Sequence, residues 1–304
     1  MKKLLYIATA FIALSCGDSK EKEVIETASN VVNKHNGTEV YSGDTAIVSA
    51  PSQEGIECSY VGDFEAVEVK PERSYRYANK ITISVDSLRD NKVFGHSVVA
   101  GNQRPFTGTY TLMKGKGLYT ITATEPGDDK YDGKFNFYIN QNDRVLEGTW
   151  VANNSKLEVS QRKYKLIKTL FNYKASLALP EGLSGAITSD WKSISSFEDD
   201  DAGSGEMITA DAMKINASSE KLKKENVENM YKGDLELMRN AIYARHGYSF
   251  KNRKMRYIFD NLVDWYIPYT TDVRNELTVL EKENIALIKR YEEHASRYYD
   301  SYGR

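Results

Sequence analysis

The chain has 304 residues, which is long enough for roughly two domains of about 150 residues each. Its 41 basic and 43 acidic side chains leave a net charge of −2, so composition gives no basic field for nucleic acid. Two cysteines and four histidines exclude a disulfide framework and a Cys-rich zinc site, and we expect neither a metal nor a cofactor.

The N-terminus carries the pattern of an export signal. Residues 1–3 form a short basic start, residues 4–14 are an apolar run, and Ser15 is a small residue directly before Cys16. Such a run is too short to span a hydrocarbon core of ~30 Å as a mature helix. Residues 1–15 are therefore predicted to be a signal peptide.

The residues around Cys16 resemble the lipobox of bacterial lipoproteins. Residues 13–16 read Ala-Leu-Ser-Cys, and in lipoproteins the cysteine becomes the lipidated first residue after cleavage. The resemblance implies that lipid on Cys16 anchors an exported protein to the bacterial envelope, at the outer membrane or the cell surface. The alternative is an ordinary cleaved signal that a cysteine follows by chance.

The segment after the signal, residues 16–55, is predicted to be a flexible acidic stalk. Residues 17–55 contain one aromatic side chain, Tyr41, and carry a net charge of −4. So polar a segment buries too little apolar surface to offset its chain entropy.

Residues 56–172 are predicted to form a β-rich domain. Apolar and polar residues alternate in several short runs, for example at 81–86 and 135–139, and turn-forming residues separate these runs. Period-2 alternation is typical of half-buried antiparallel strands. About eight such strands predict an antiparallel barrel or sandwich, and with the helical region that follows, the fold class is α+β.

A motif recurs in this β-rich domain, in which a bulky residue, a glycine and a second bulky residue stand two positions apart. On a strand all three face the same side. Two interpretations remain open: the rings pack a core, or they line a pocket for a sugar or a small amphiphile. The four copies are Tyr60-x-Gly62-x-Phe64, Phe106-x-Gly108-x-Tyr110, Tyr131-x-Gly133-x-Phe135 and Leu146-x-Gly148-x-Trp150.

Residues 173–216 are predicted to be an acidic linker that contains glycine and serine. Residues 173–215 carry a net charge of −5, and the Gly/Ser run follows Asp199-Asp200-Asp201. These three aspartates lack the spacing of a calcium loop, so a solvated linker is the expectation.

Residues 217–304 are predicted to form a compact helical bundle with short connections. Apolar residues recur there at three- and four-residue steps. Asp234 is the expected N-cap of the first long helix, and Gly247 is the expected residue after its end. The predicted helices cover residues 234–246, 254–265 and 275–299, with a weaker turn of helix at 223–230.

A long motif lies in this helical region. Residues 237–250 read Leu-Met-Arg-Asn-Ala-Ile-Tyr-Ala-Arg-His-Gly-Tyr-Ser-Phe, and residues 265–268 read Trp-Tyr-Ile-Pro. The motif resembles the YARHG domain, a small module of bacterial proteins that is named for the pentapeptide found here at 243–247. The resemblance covers about residues 218–293. It implies an exported protein, often a lipoprotein, and it implies no particular reaction.

The motif supplies candidate binding residues. At 100° per residue, His246 lies on the apolar stripe of its helix, and the two arginines of the motif lie on either side of that stripe. Two arginines among aromatic rings are suited to carboxylate-bearing glycans such as peptidoglycan. The candidate binding residues are Arg239, Tyr243, Arg245, His246, Trp265 and Tyr266.

The same residues could instead fasten the helices together. Buried arginines need acceptors, which a carboxylate could supply from within the domain. A histidine on an apolar stripe is more often a core group than a catalyst, and it is typically bonded to a backbone carbonyl or an aromatic hydroxyl. The internal acceptors that we consider for the arginines are Asp260, Asp264 and Glu283.

The expected function is non-catalytic binding of an envelope component, which could be a glycan, peptidoglycan or a protein. No nucleophile elbow, zinc-protease motif or phosphate loop occurs in the sequence, so no catalytic residue is assigned. One alternative is an envelope hydrolase or its accessory subunit, with His246 as the weak catalytic candidate. A second alternative is that the β-rich domain carries a small amphiphilic ligand.

Overall fold

A computed structural model of the chain describes residues 55–67, 78–184 and 208–298. The predicted signal peptide, the lipidation site Cys16 and all but the last residue of the predicted stalk lie outside these ranges. The acidic Gly/Ser run of the predicted linker lies outside them as well.

Residues 59–168 form a closed antiparallel barrel of eight strands. Each strand pairs with its neighbours in sequence, and β1 pairs with β8, which closes the sheet and removes its edges. The predicted β-rich domain of about eight strands is confirmed, as a barrel and not a sandwich. The strands are β1 Ser59–Ala66, β2 Asn79–Arg89, β3 Lys92–Val99, β4 Asn102–Met113, β5 Leu118–Thr124, β6 Gly133–Asn140, β7 Val145–Ala152 and β8 Gln161–Lys168.

The barrel interior is a packed apolar core. On β6, Phe135, Phe137 and Ile139 are buried, whereas Asn136 and Tyr138 between them are exposed. This is the alternation that the sequence predicts. An eight-stranded barrel is only wide enough for its side chains to fill it, so large apolar residues meet across the interior.

The recurring glycine motif serves this packing. Six of its eight bulky residues are buried. A methyl group on Gly133 would lie 2.5 Å from the indole of Trp150. A methyl group on Gly108 would overlap the carbonyl oxygen of Thr122 on the neighbouring strand. Larger residues at these two positions would therefore force the ring or the strand to move.

Five α-helices follow in the described part of the chain, and they form the helical body. The predicted bundle of three longer helices and one short turn is confirmed, with ends that differ by up to four residues. None of the helices within the described ranges is long and apolar enough to cross a bilayer. The helices are α1 Asp211–Lys214, α2 Lys224–Val227, α3 Lys232–Arg245, α4 Arg253–Leu262 and α5 Val279–Tyr298.

The two ends of α3 differ in how well the sequence predicted them. Gly247 has a φ of 75° just after the helix, as expected for a left-handed residue at C′. Asp234 is not the N-cap, because the helix begins at Lys232. The Asp234 carboxylate instead accepts bonds from the backbone N–H and the hydroxyl of Thr209, at 2.6 and 2.9 Å.

Both described ends of the predicted linker belong to the core of the helical body. Leu179 and Leu183 precede the region outside the described ranges, and Ile208 and Ala212 follow it. All four are buried among the helices. A flexible linker over the whole of 173–216 is therefore not what the described residues form, because apolar side chains at both ends pack against α3 to α5.

The helical body lies against one end of the barrel. The Lys80 ammonium at the start of β2 donates to the backbone carbonyls of Val263 and Tyr266, at 3.3 and 3.1 Å. The backbone N–H of Gly101, in the β3–β4 turn, donates to the Ser249 hydroxyl at 2.9 Å. These bonds hold α4 and the segments beside it across this mouth of the barrel.

Candidate functional site

Arg239 joins two helices instead of facing a ligand. Its Nε and Nη2 donate to the two carboxylate oxygens of Glu292, at 2.8 and 2.9 Å. This fork connects α3 to α5, and both side chains are less than one-fifth exposed. An internal carboxylate was the predicted alternative to a ligand, but it is Glu292 and not one of the three suggested carboxylates, Asp260, Asp264 and Glu283. The planar guanidinium is suited to such a bidentate pair.

Arg245 is buried and makes its hydrogen bonds inside the helical body. Its Nε donates to the carbonyl of Leu177 at 2.8 Å, and its Nη1 donates to the Ser218 hydroxyl at 3.2 Å. The guanidinium also lies 5.9 Å from the centre of the Trp265 ring. Burial lowers the pKa of Arg245 to about 10. Arg245 therefore ties the segment before the helices to α3.

His246 is the centre of a buried polar cluster. Its Nε2 lies 2.8 Å from a carboxylate oxygen of Glu281, and the Tyr173 ring stacks on the imidazole with centroids 4.1 Å apart. The Tyr173 hydroxyl donates to the other oxygen of Glu281 at 3.0 Å. Burial opposes the charge of Glu281, but hydrogen bonds from His246 and Thr278 outweigh it and hold the Glu281 pKa below its usual value.

This burial bears on the weak catalytic assignment of His246. The imidazole is 4% exposed and the Glu281 side chain 0% exposed. A general base must lie within hydrogen-bond reach of a substrate proton. The geometry gives a substrate no access to this imidazole, and it supports a structural role.

The three aromatic candidates also make contacts inside the helical body. The buried Tyr266 hydroxyl donates to the Tyr248 carbonyl at 2.8 Å. The Trp265 indole donates to the carbonyl of Ala178 at 2.7 Å. Tyr243 is half-buried and meets the Tyr248 ring edge-on. The six predicted binding residues thus do not form one exposed patch, because most of their polar atoms are used between segments of the helical body.

A different concave site lies at the barrel mouth that faces α4. It is a cavity of about 450 Å³, which is within the range of small-molecule sites. Its wall combines aromatic rings, aliphatic side chains and a few polar groups. The lining residues are Phe64, Ala66, Asn79, Ile81, Ser97, Val99, Ala100, Asn102, Glu125, Tyr131, Phe135, Trp150, Leu157, Glu158, Val159, Arg162, Arg253 and Arg256.

A buried carboxylate is part of the barrel side of this cavity. Glu125, just after β5, is 6% exposed. It accepts hydrogen bonds from the Ser97 hydroxyl at 3.2 Å, the Gly133 N–H at 2.7 Å and the Trp150 indole at 3.2 Å. Burial raises the pKa of Glu125, although these bonds oppose the shift. All three donors are uncharged, so the carboxylate is held by dipoles.

Three arginines line the cavity, two from α4 and one from the barrel. Arg253 and Arg256 come from α4 and contact the cavity from the helical body. Arg162 of β8 donates to the Phe64 carbonyl at 2.6 Å and lies 4.9 Å from the centre of the Phe64 ring. This cavity, which we call the mouth cavity, therefore receives residues from both the barrel and α4.

The sequence indicated only part of the mouth cavity. Its four rings, Phe64, Tyr131, Phe135 and Trp150, all belong to the recurring glycine motif, for which a ring-lined pocket was one interpretation. Glu125 and the arginines were not singled out, because nothing in their local sequence distinguishes them from solvated side chains. In residues 55–67, 78–184 and 208–298, no cluster of three or more His, Cys, Asp or Glu has the arrangement of a metal site.

Comparison with known proteins bears on the helical body. Residues 210–293 match the family model of the YARHG domain, a range that begins at α1 and ends within α5. Searches of curated proteins and of solved structures find no match to the chain. YARHG domains are typical of extracellular or periplasmic proteins. The chain therefore carries a YARHG domain at residues 210–293, placed after an eight-stranded barrel.

Proposed function

We propose that this protein is an exported, lipid-anchored envelope protein that binds a small amphiphilic molecule in the mouth cavity, without turning it over. The observation that carries this proposal is the cavity itself, with aromatic rings on its wall and a buried, hydrogen-bonded carboxylate. An apolar wall with a few fixed polar groups is the usual composition of a small-molecule site.

Peptidoglycan binding through the YARHG residues has less support. Arg245, His246 and Tyr266 are buried, and Arg239 is paired with Glu292. If these groups bound a glycan, their internal hydrogen bonds would break. The protein groups that now accept or donate those bonds would be left without a partner.

The chemistry of the cavity favours binding over catalysis. Its lining residues among the described ranges include neither histidine nor cysteine. The Ser97 hydroxyl donates directly to Glu125, with no imidazole between them to act as a base. The carboxylate is therefore suited to orienting a polar group of the ligand.

Saturable binding of an apolar dye tests the site. The test uses the full chain carrying Cys16→Ser, which has no lipid of its own. We expect it to bind a naphthylamine dye with a stoichiometry of one, and we expect octanol to displace the dye by competing for the same cavity. Val99→Phe, which fills the cavity, should weaken dye affinity roughly tenfold or more, since its ring occupies the ligand volume. Fluorescence titration measures both.

Val151→Phe is the matched control, because Val151 is exposed on the outer face of β7. It should leave the dye affinity unchanged. Circular dichroism melts of both variants separate loss of the site from loss of the fold. Equal dye affinity in Val99→Phe and the parent chain would sink the proposed site.

The location has its own test. The full chain is expected in the membrane fraction of a bacterial host that processes lipoproteins, and Cys16→Ser is expected in the soluble fraction, since one thiol carries the anchor. Fractionation and mass spectrometry of the N-terminus check this. A Cys16→Ser chain that stays with the membrane would show that the attachment does not depend on this thiol.

A further inference from the structure

The face of α4 toward the mouth cavity is basic. Arg253 and Arg256 stand three residues apart, so they share one face of the helix, and both line the cavity. The opposite face is different, because Met255, Ile258 and Phe259 are buried in the core of the helical body. The YARHG domain, residues 210–293, therefore brings a pair of guanidinium groups to the mouth of the barrel. The barrel itself is not part of the YARHG match.

Arg256 retains a donor without an acceptor. Its Nε is buried, and it makes no hydrogen bond to any residue within 55–67, 78–184 and 208–298. A buried donor without a partner costs about 1–3 kcal/mol. The side chain of Arg256 also lines the mouth cavity, so an acceptor bound there would lie beside a guanidinium group that is incompletely hydrogen-bonded.

The nearest acidic group on the same helix does not remove the need for an acceptor. Asp260 lies one turn after Arg256, and its Oδ2 also lacks a hydrogen bond among the described residues. Burial raises the pKa of Asp260 to about 7, although the nearby Lys80 and Arg256 oppose this shift. Burial therefore disfavours the charged form of Asp260, the acidic residue of α4.

The remaining charges favour an anion on the α4 side. Two of the three arginines that line the cavity, Arg253 and Arg256, lie on α4, whereas Arg162 is on barrel strand β8. Glu125 lies on the barrel side, where it is bonded to Ser97, Gly133 and Trp150. The four aromatic rings also come from the barrel, three of them from its strands. A ligand would thus meet aromatic rings from the barrel and two guanidinium groups from α4.

We infer that the amphiphile bound in the mouth cavity carries a carboxylate or phosphate, and that Arg256 of the YARHG domain, with Arg253 beside it, holds this anion. This inference rests on the proposed function and names its ligand class. Guanidinium forks bind such anions bidentately, and a neutral head group does not offer this charge-assisted pair of hydrogen bonds. The helical body then completes a site that the barrel alone leaves open.

Probes of equal chain length test the inference in the full chain carrying Cys16→Ser. Octanoate and octyl phosphate should displace the dye at concentrations roughly tenfold lower than octanol, because each gains a charge-assisted hydrogen bond. Arg256→Gln should reduce that preference to less than about threefold, measured as the ratio of anion to octanol affinity within the same variant. Inorganic phosphate is also tested alone as a competitor of the dye. Displacement by phosphate would indicate recognition of a free anion, whereas displacement by octyl phosphate only would indicate recognition of an amphiphile.

Controls keep the outcomes distinct. Arg290→Gln removes the same charge from an exposed position on α5 and should preserve the preference. Arg256→Lys keeps the charge and should retain part of it. Octanol that binds as tightly as both anions in the parent chain would overturn this inference and leave the proposed function intact. Failure of the dye and all three octyl probes to bind would overturn the proposed function itself.

If Arg256→Gln does not fold, the parent chain by itself still tests whether the ligand is an anion. The ratio of octanoate to octanol affinity is then measured at low and at high salt, because a buried ionic contact is screened less than an exposed one. A preference for octanoate at either salt concentration supports the arginine site. Equal affinities at both salt concentrations contradict it.

Discussion

Arg245→Glu is expected to lower the free energy of unfolding by ~3–5 kcal/mol, a large part of the stability of an ordinary domain. The substitution places a carboxylate where Arg245 now donates to the Leu177 carbonyl. Two acceptors would then face each other in a buried site, and the negative charge of Glu281 is close enough to affect the group that replaces Arg245. Urea denaturation followed by circular dichroism measures the loss.

Arg290→Glu is the control for the change of charge. Arg290 is exposed on α5, so its reversal should alter stability by about 0.5 kcal/mol or less. A loss of binding without a loss of stability would instead support the interpretation of Arg245 as a binding residue. An Arg245→Glu variant that unfolds like the parent chain, yet no longer co-sediments with peptidoglycan that the parent chain binds, would make Arg245 a binding residue.

Trp150→Ala is the second large effect, with an expected loss of ~3–5 kcal/mol. The indole is almost fully buried in the barrel and meets the Phe64 ring edge-on at 5.7 Å. The indole also covers Gly133. Because glycine has no side chain that could move into the space left by the indole, that space would stay empty. Glu125 would lose one of its three donors at the same time. Thermal and urea melts report the change.

Tyr138→Ala tests whether loss of any aromatic ring has this effect. Tyr138 is on β6 and its side chain is exposed, so its removal should cost about 1 kcal/mol or less. If Trp150→Ala folded with unchanged stability and only lost the dye, the ring would be a ligand contact without a packing role.

The two large effects differ in how far the sequence predicted them. Trp150 belongs to a motif that is visible in the sequence, and the packing role of that motif was one of its two interpretations. Arg245 was also singled out, but its acceptors, Leu177 and Ser218, are not among the carboxylates that the sequence suggested, Asp260, Asp264 and Glu283. One of them, Leu177, lies in the segment that was predicted to be a linker. A backbone carbonyl gives no signal in a sequence, because every residue has one.

The same limit applies to the other polar pairs. Glu292 and Glu281, the partners of Arg239 and His246, lie 53 and 35 residues away from them in the chain. Glu281 has the composition of an ordinary surface residue, yet it is fully buried. Its burial is determined by His246, Tyr173 and Thr278, which meet only when α5 packs on α3.

Local patterns determined what depends on near neighbours in the chain. Period-2 alternation gave the strands of the barrel, three- and four-residue steps gave the helices, and Gly247 marked the end of α3. The YARHG motif identified the domain at residues 210–293. These features follow from backbone geometry and from which side of each element is apolar. Asp234 shows the limit even here, because a tertiary bond to Thr209 replaced the expected cap.

Tertiary structure alone decided which side chains meet. The sequence by itself determined an eight-stranded β-rich domain followed by a helical YARHG domain. It did not determine that α4 lies across the mouth of the barrel, with Arg253 and Arg256 lining the same cavity as Glu125. Contacts between residues more than 100 positions apart depend on how complete elements pack, and burial, pKa and the presence of a cavity all follow from that packing.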